Sequence, residues 1–168
     1  ETELIGSIIN LNVMALEISY CGDIFTSGFT LSNTLGELFG DTNLYHVDPH
    51  DASLTLIGDT GIERIMDLSF DPDGVLWATT GNVLYTLDQM SGLPTEVATI
   101  TGVEEDNEIM GIGFTSEGEL YGTSPWIDGL YNIDPMTGVA TEVGRHGFAV
   151  VHGGDIPMIP KDTNCNDM

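Results

Sequence analysis

Apolar residues along this chain alternate with polar ones in short runs, and Gly, Asp, Pro and Asn separate the runs. Alternation at period two predicts half-buried strands, and those four residue types predict tight turns. Helical periodicity is absent from the pattern. The clearest unit begins at Ile65-Met66-Asp67-Leu68-Ser69-Phe70, a strand that meets a turn at Asp71-Pro72-Asp73-Gly74. Val75 to Thr79 is a second strand, Val83 to Asp88 a third, and Thr95 to Ile100 a fourth after Met90-Ser91-Gly92. Pro early and Gly late in such segments suit the backbone angles of β-turns.

The unit recurs. Leu44-Tyr45-His46-Val47-Asp48, Leu84-Tyr85-Thr86-Leu87-Asp88 and Leu130-Tyr131-Asn132-Ile133-Asp134 are one phrase, at spacings of 40 and 46 residues. A period in this range marks a supersecondary block stacked on its own copies. A polar, glycine-rich insertion from about Ser27 to Thr42 delays the third strand of the first unit, and such loops often carry function. At the start, Thr2-Glu3-Leu4-Ile5-Gly6 matches the fourth strand Thr55-Leu56-Ile57-Gly58. At the end, Gly153-Gly154-Asp155-Ile156 echoes Cys21-Gly22-Asp23-Ile24. The expected organisation is three four-stranded units over about 14–61, 62–108 and 109–147, with partial units at 1–13 and 148–158 and a polar tail at 159–168. The beginning at Glu1, inside a strand-like pattern, suggests a processed or excised piece.

Charge narrows the partners. Three Lys and Arg stand against 27 Asp and Glu, a formal charge of −24 over 168 residues. Such a surface repels phosphates and acidic headgroups, so nucleic acid is excluded as a partner. No apolar run reaches the ~20 residues of a membrane helix, and membrane insertion is not expected. The 41 % hydrophobic content, in ordered alternation, argues for a packed core.

Several groups could bind or react. Asp71 and Asp73 flank a turn, and Asp162, Asn164 and Asn166 alternate in the tail, as oxygen ligands of calcium do. Turn aspartates also accept backbone hydrogen bonds, which is the competing role for Asp71 and for the repeated Asp48, Asp88 and Asp134. No cofactor is expected beyond calcium. Cys21 and Cys165 have neither zinc-type nor redox spacing. They could pair with each other, pair with another chain, or stay reduced. Trp126 lies in a segment that the other units lack, and Phe29 and Phe39 lie in the insertion, so these three are the candidate ligand or partner contacts. His46, His50, His146 and His152 show no catalytic motif, and no catalytic residue is assigned.

Phe70-Asp71-Pro72-Asp73-Gly74, Leu76-Trp77, Leu84-Tyr85 with Asp88, and Leu130-Tyr131 with Asp134-Pro135 and Thr137-Gly138 resemble the blades of secreted bacterial β-propeller repeat proteins. More distantly they are similar to NHL, WD-repeat and streptogramin-lyase-like propellers. The resemblance covers roughly residues 1–158 and implies an all-β fold of propeller-type blades; a β-trefoil is the rival. Propellers close with 4 to 8 blades, so three units expose strand edges and invite self-association. Leu4, Ile5 and Ile8 at one end and Val150 and Val151 at the other are the expected assembly strands. The functional expectation is a non-enzymatic, extracellular or cell-surface scaffold for adhesion or self-assembly, with a filament protomer joined by strand addition as one form of it. A carbohydrate- or cation-binding domain, with glycans among its partners, is the alternative. A propeller lyase or hydrolase comes third.

Overall fold

The computed structural model describes residues 4–8, 11–30, 41–104, 107–145 and 147. Among the described residues, twelve strands make three separate antiparallel sheets, each ordered as the chain runs. The first holds β1 (Leu11–Ile18), β2 (Ile24–Thr30), β3 (Asp41–Val47) and β4 (Leu54–Glu63). The second holds β5 (Asp67–Phe70), β6 (Leu76–Thr79), β7 (Val83–Leu87) and β8 (Pro94–Thr99). The third holds β9 (Gly111–Phe114), β10 (Leu120–Ser124), β11 (Gly129–Ile133) and β12 (Ala140–Arg145). This is a β-propeller-type fold. Discrete sheets, with inner strands β1, β5 and β9 packed in succession, do not describe a trefoil.

The registers make the three sheets superposable position by position. Ile18 pairs with Ile24, Phe70 with Leu76, and Phe114 with Leu120. Ile18, Phe70 and Phe114 are therefore equivalent, and so are Phe25, Trp77 and Tyr121 one strand out. Two apolar clusters fill the spaces between sheets. Phe25 and Leu44 of the first sheet meet Leu68, Phe70 and Leu76 of the second. Trp77 and Leu84 of the second meet Ile112, Phe114 and Tyr131 of the third. One aromatic contact recurs at both junctions, Phe25 with Phe70 at 5.6 Å and Trp77 with Phe114 at 5.4 Å between ring centroids.

Polar groups of the inner strands pin each sheet to the next. Glu17 Oε1 accepts the Phe70 amide at 3.0 Å, and Ser69 Oγ, at the equivalent place, accepts the Phe114 amide at 3.3 Å. Asp67 Oδ2 accepts the Ile112 amide at 2.8 Å. Each bond satisfies a backbone donor that the sandwiching sheets would otherwise strand. Arg64 makes two 3.0 Å bonds to Glu108, joining the connections that enter the second and third sheets.

Some expectations shift. β2 runs on to Thr30 and β3 starts at Asp41, so part of the expected insertion is strand. Phe29 sits on β2 and is buried, which removes it as a surface contact. Residues 4–8 form no strand, because no ladder pairs with them; Leu4 and Ile5 are exposed irregular backbone. β4 reaches Glu63 rather than stopping near Gly58, since Ile62 and Glu63 pair with Thr42 and Asp41. Thr42 Oγ1 supports that bend, donating to the Ile62 carbonyl at 2.6 Å and accepting from the Ile65 amide.

Candidate active-site cleft

Each inner hairpin is closed by a turn whose first side chain accepts the amide four residues on. Ser19 Oγ takes the Asp23 amide, Asp71 Oδ1 that of Val75, and Thr115 Oγ1 that of Glu119. Asp71 Oδ1 also takes the Asp73 amide, and its Oδ2 accepts the Trp77 indole N–H at 3.0 Å. Asp71 is thus occupied in holding its turn and its tryptophan. The third-strand aspartates are likewise engaged. Asp88 Oδ1 accepts the Met90 and Ser91 amides and the Ser91 hydroxyl, and Asp134 Oδ1 accepts the Met136 and Thr137 amides. Among the described residues, no three His, Cys, Asp or Glu side chains gather as a metal would require. Asp162, Asn164 and Asn166 lie outside the described residues, as do Phe39, Val150, Val151 and Cys165.

The first sheet departs from this pattern in one respect. Asp23 takes the place held by Val75 and Glu119, and His46 the place held by Thr86 and Asn132. The β2–β3 register brings the two together, with His46 Nε2 3.5 Å from Asp23 Oδ1 and both side chains half-buried. Ser19 Oγ donates to the other carboxylate oxygen, Oδ2, at 3.2 Å. The Phe25 ring meets the imidazole edge-on, with centroids 5.8 Å apart and planes at 89°. The carboxylate and the aromatic ring thus flank the imidazole on two sides.

This pair lines a cleft of about 850 Å³ between the first and second sheets. Asp23, Phe25, His46 and Thr55 face it from the first sheet, and Asp88 and Gln89 from the second. The volume suits a small molecule of the usual ligand size. An imidazole with one nitrogen turned to a carboxylate has its other nitrogen free to accept a proton. His50 makes a different pair, Nδ1 to Asp48 Oδ1 at 3.0 Å, but that ring is solvent-exposed and away from the cleft lining. His146 and His152 lie outside the described residues. Trp126, in the β10–β11 connection, is exposed and does not line the cleft. Cys21, beside Asp23, is disulfide-bonded.

Sequence reading noted His46 and Asp23 without joining them. The signal was available as two columns of the repeat in which the first unit alone combines an acid with a base.

No family model matches the chain, and no curated protein matches its sequence. Solved structures do. Regucalcin from Agrobacterium tumefaciens, a calcium-binding protein, is 18% identical with a TM-score of 0.55, matching 84% of this chain and 48% of its own. A luciferin-regenerating enzyme is 15% identical with a TM-score of 0.63, over 87% of this chain and 50% of its own. A gluconolactonase from Xanthomonas campestris is 17% identical with a TM-score of 0.59, over 90% and 54%. The likeness is one of fold, and the chain spans about half the length of these propellers. Two of the three carry enzyme names and none is an adhesin or filament subunit. The expectation of a non-enzymatic scaffold for adhesion or self-assembly is corrected accordingly. Blades built for packing look alike whatever they carry, which is why the repeat pattern misled on function.

Proposed function

We propose that this chain is part of an enzymatic β-propeller that hydrolyses small neutral esters or lactones, with His46 as general base and Asp23 as its orienting carboxylate. The observation that carries the reading is the His46–Asp23 pair in the wall of a cleft of about 850 Å³. In the reaction, His46 takes a proton from water as the water oxygen bonds to the carbonyl carbon. Asp23 stabilises the imidazolium that results. The carbon–oxygen bond of the ester then breaks, and the departing oxygen recovers the proton from His46. The substrate is neutral because a −24 chain disfavours anions. The gluconolactonase likeness suggests a sugar lactone as the first substrate class to try.

Calcium is a property of the regucalcin relative by its name. Asp71, Asp88 and Asp134 are occupied in turns, and among the described residues no three acids or imidazoles gather as an ion cage. The Cys21 disulfide supports an oxidising, extracytoplasmic location.

The test is hydrolysis of glucono-lactone and a panel of neutral lactones and esters, followed by proton release. His46→Ala should lose about 10²–10⁴-fold in kcat/KM, the usual contribution of a positioned base. A parent protein no faster than spontaneous hydrolysis, or a His46→Ala variant as fast as the parent, would overturn the assignment.

A further inference from the structure

Each sheet ends its third strand in the same turn, and one of the three turns carries a different side chain. Asp48, Asp88 and Asp134 each accept, through Oδ1, the amide two residues on, of His50, Met90 and Met136. Their carbonyls accept the amides of Ala52, Gly92 and Gly138. The residue after the aspartate is Pro49 in the first sheet and Pro135 in the third, but Gln89 in the second. Two prolines show that the turn closes without a backbone N–H or a polar side chain at this place.

Gln89 lines the same cleft as Asp23 and His46, from the opposite sheet. Its Nε2 donates to the Gly74 carbonyl at 2.9 Å. A carboxamide nitrogen carries two N–H groups, so one remains once that bond is made. Gly74 belongs to the β5–β6 turn, and the bond therefore ties Gln89 between two turns of its sheet. The first sheet seats the same turn from the other side. A Cβ on Gly58 of β4 would lie 1.9 Å from the Ser91 carbonyl oxygen, so the backbone two residues past Gln89 abuts the strand that also brings Thr55 and Ile57 to the cleft. Two departures from the repeat thus open on one cavity: an acid with a base in the first sheet, and an amide donor in place of proline in the second.

Other donors are scarce there. The described residues lining the cleft include no Lys or Arg. Asp23 and Asp88 only accept when ionised, and His46 serves as the base. Thr55 pairs with His46 as Thr95 pairs with Thr86 and Thr141 with Asn132, so it belongs to the common repeat.

We propose that Gln89 is a catalytic residue of this cleft, whose second Nε2–H donates to the substrate carbonyl oxygen and holds it as negative charge gathers there. The inference rests on the hydrolytic reading of His46. As the water oxygen bonds to the carbonyl carbon, the π pair of the C=O bond moves onto its oxygen, which Gln89 meets with a hydrogen bond, and His46 takes the water proton. The pair then returns to re-form the C=O bond. The bond to the alkoxy oxygen breaks, and that oxygen leaves with its electrons and takes the proton from His46. A neutral donor beside two carboxylates suits a carbonyl, charged only in passing; a phosphate or sulfate ester would bring a standing negative charge against the acids.

Two substitutions test it by turnover. Gln89→Pro restores the residue of the sister turns and should leave Tm unchanged or raised; Gln89→Glu keeps the shape and removes the donor. Both should lose about 10²-fold in kcat on the neutral ester or lactone that the parent hydrolyses, with KM within about threefold. Parental kcat in both, while His46→Ala is slow, would overturn the role of Gln89 and leave that of His46 standing. A measurement without turnover separates the two readings further. On titration of the parent and of His46→Ala with δ-valerolactam, an unreactive neutral carbonyl, the side-chain N–H signals of Gln89 should move in the NMR spectrum. Gln89→Pro should bind the lactam about fivefold more weakly, as expected for one hydrogen bond. Gln89 signals that stay in place throughout the titration would overturn the inference, whether or not the protein turns over substrate.

Discussion

The two junctions between sheets share a backbone plan and differ in how they are filled. Between the second and third sheets, Trp77 on Phe114 and the Asp67 and Ser69 bonds close the space, and Thr86 and Val75 occupy the outer positions. Between the first and second, Phe25 on Phe70 repeats the contact with a smaller ring. There Asp23 and His46 replace the valine and threonine and line the cleft. The scaffold needs neither residue for packing. An acid and an imidazole side by side at one junction, where the next has a valine and a threonine, is the chemical difference between the two.

That contrast can be broken by measurement. The largest expected effect is Phe114→Ala, which empties the closed junction and should cost about 3–5 kcal/mol in denaturant unfolding. Phe70→Ala should cost about 1 kcal/mol less, because water can enter from the cleft side and part of the void is relieved. Equal losses would mean that the first junction is as tightly filled as the second.

A second measurement sharpens the role of the repeated aspartates. The carboxyls of Asp48, Asp88 and Asp134 are held below the ordinary aspartate range. For Asp48 and Asp134 the first cause is a backbone amide, of His50 and Met136; for Asp88 it is the Ser91 hydroxyl. A carboxyl with a depressed folded pKa adds stability above its unfolded value, ~3.9, and loses it as pH falls through the folded value. Changing all three to Asn keeps an acceptor oxygen that cannot be protonated. The variant's Tm should therefore fall less than the parent's between about pH 5 and pH 2. An identical pH profile would assign the acid sensitivity to other carboxylates.

The smallest expected effect concerns Ala52. It has φ 60° in the turn where the second and third sheets place Gly92 at 75° and Gly138 at 72°. An L-residue there carries the left-handed penalty, partly offset by the lower unfolded entropy of alanine. Ala52→Gly should stabilise by about 0.5–1 kcal/mol, read as a rise in the denaturant midpoint at constant slope.

Most of the fold was legible because its rules are local. Leu-Tyr-x-x-Asp fixes the third strand and its turn, Asp-Pro-Asp-Gly fixes the inner hairpin, and the period stacks the sheets. Phe29 was misplaced because a loop start near Ser27 hid the last four residues of β2, 27 to 30. The first residues failed as a strand for another reason: Leu4 and Ile5 have strand chemistry, but a strand exists only where a ladder partner does. The site was less legible. Asp23 and His46 are separated by a long stretch of chain and meet only through the β2–β3 register, which no local pattern encodes. Alternation told which residues share a face, not that an acid and a base would lie side by side on it.

The second sheet belongs to both apolar clusters, whereas the first and third each belong to one. Cohesion in such an array passes from neighbour to neighbour, as in a row of links. The middle link then governs whether the ends remain one body. Damage to Leu68 or Leu84 would uncouple the whole, while comparable damage in β12 would only shorten it.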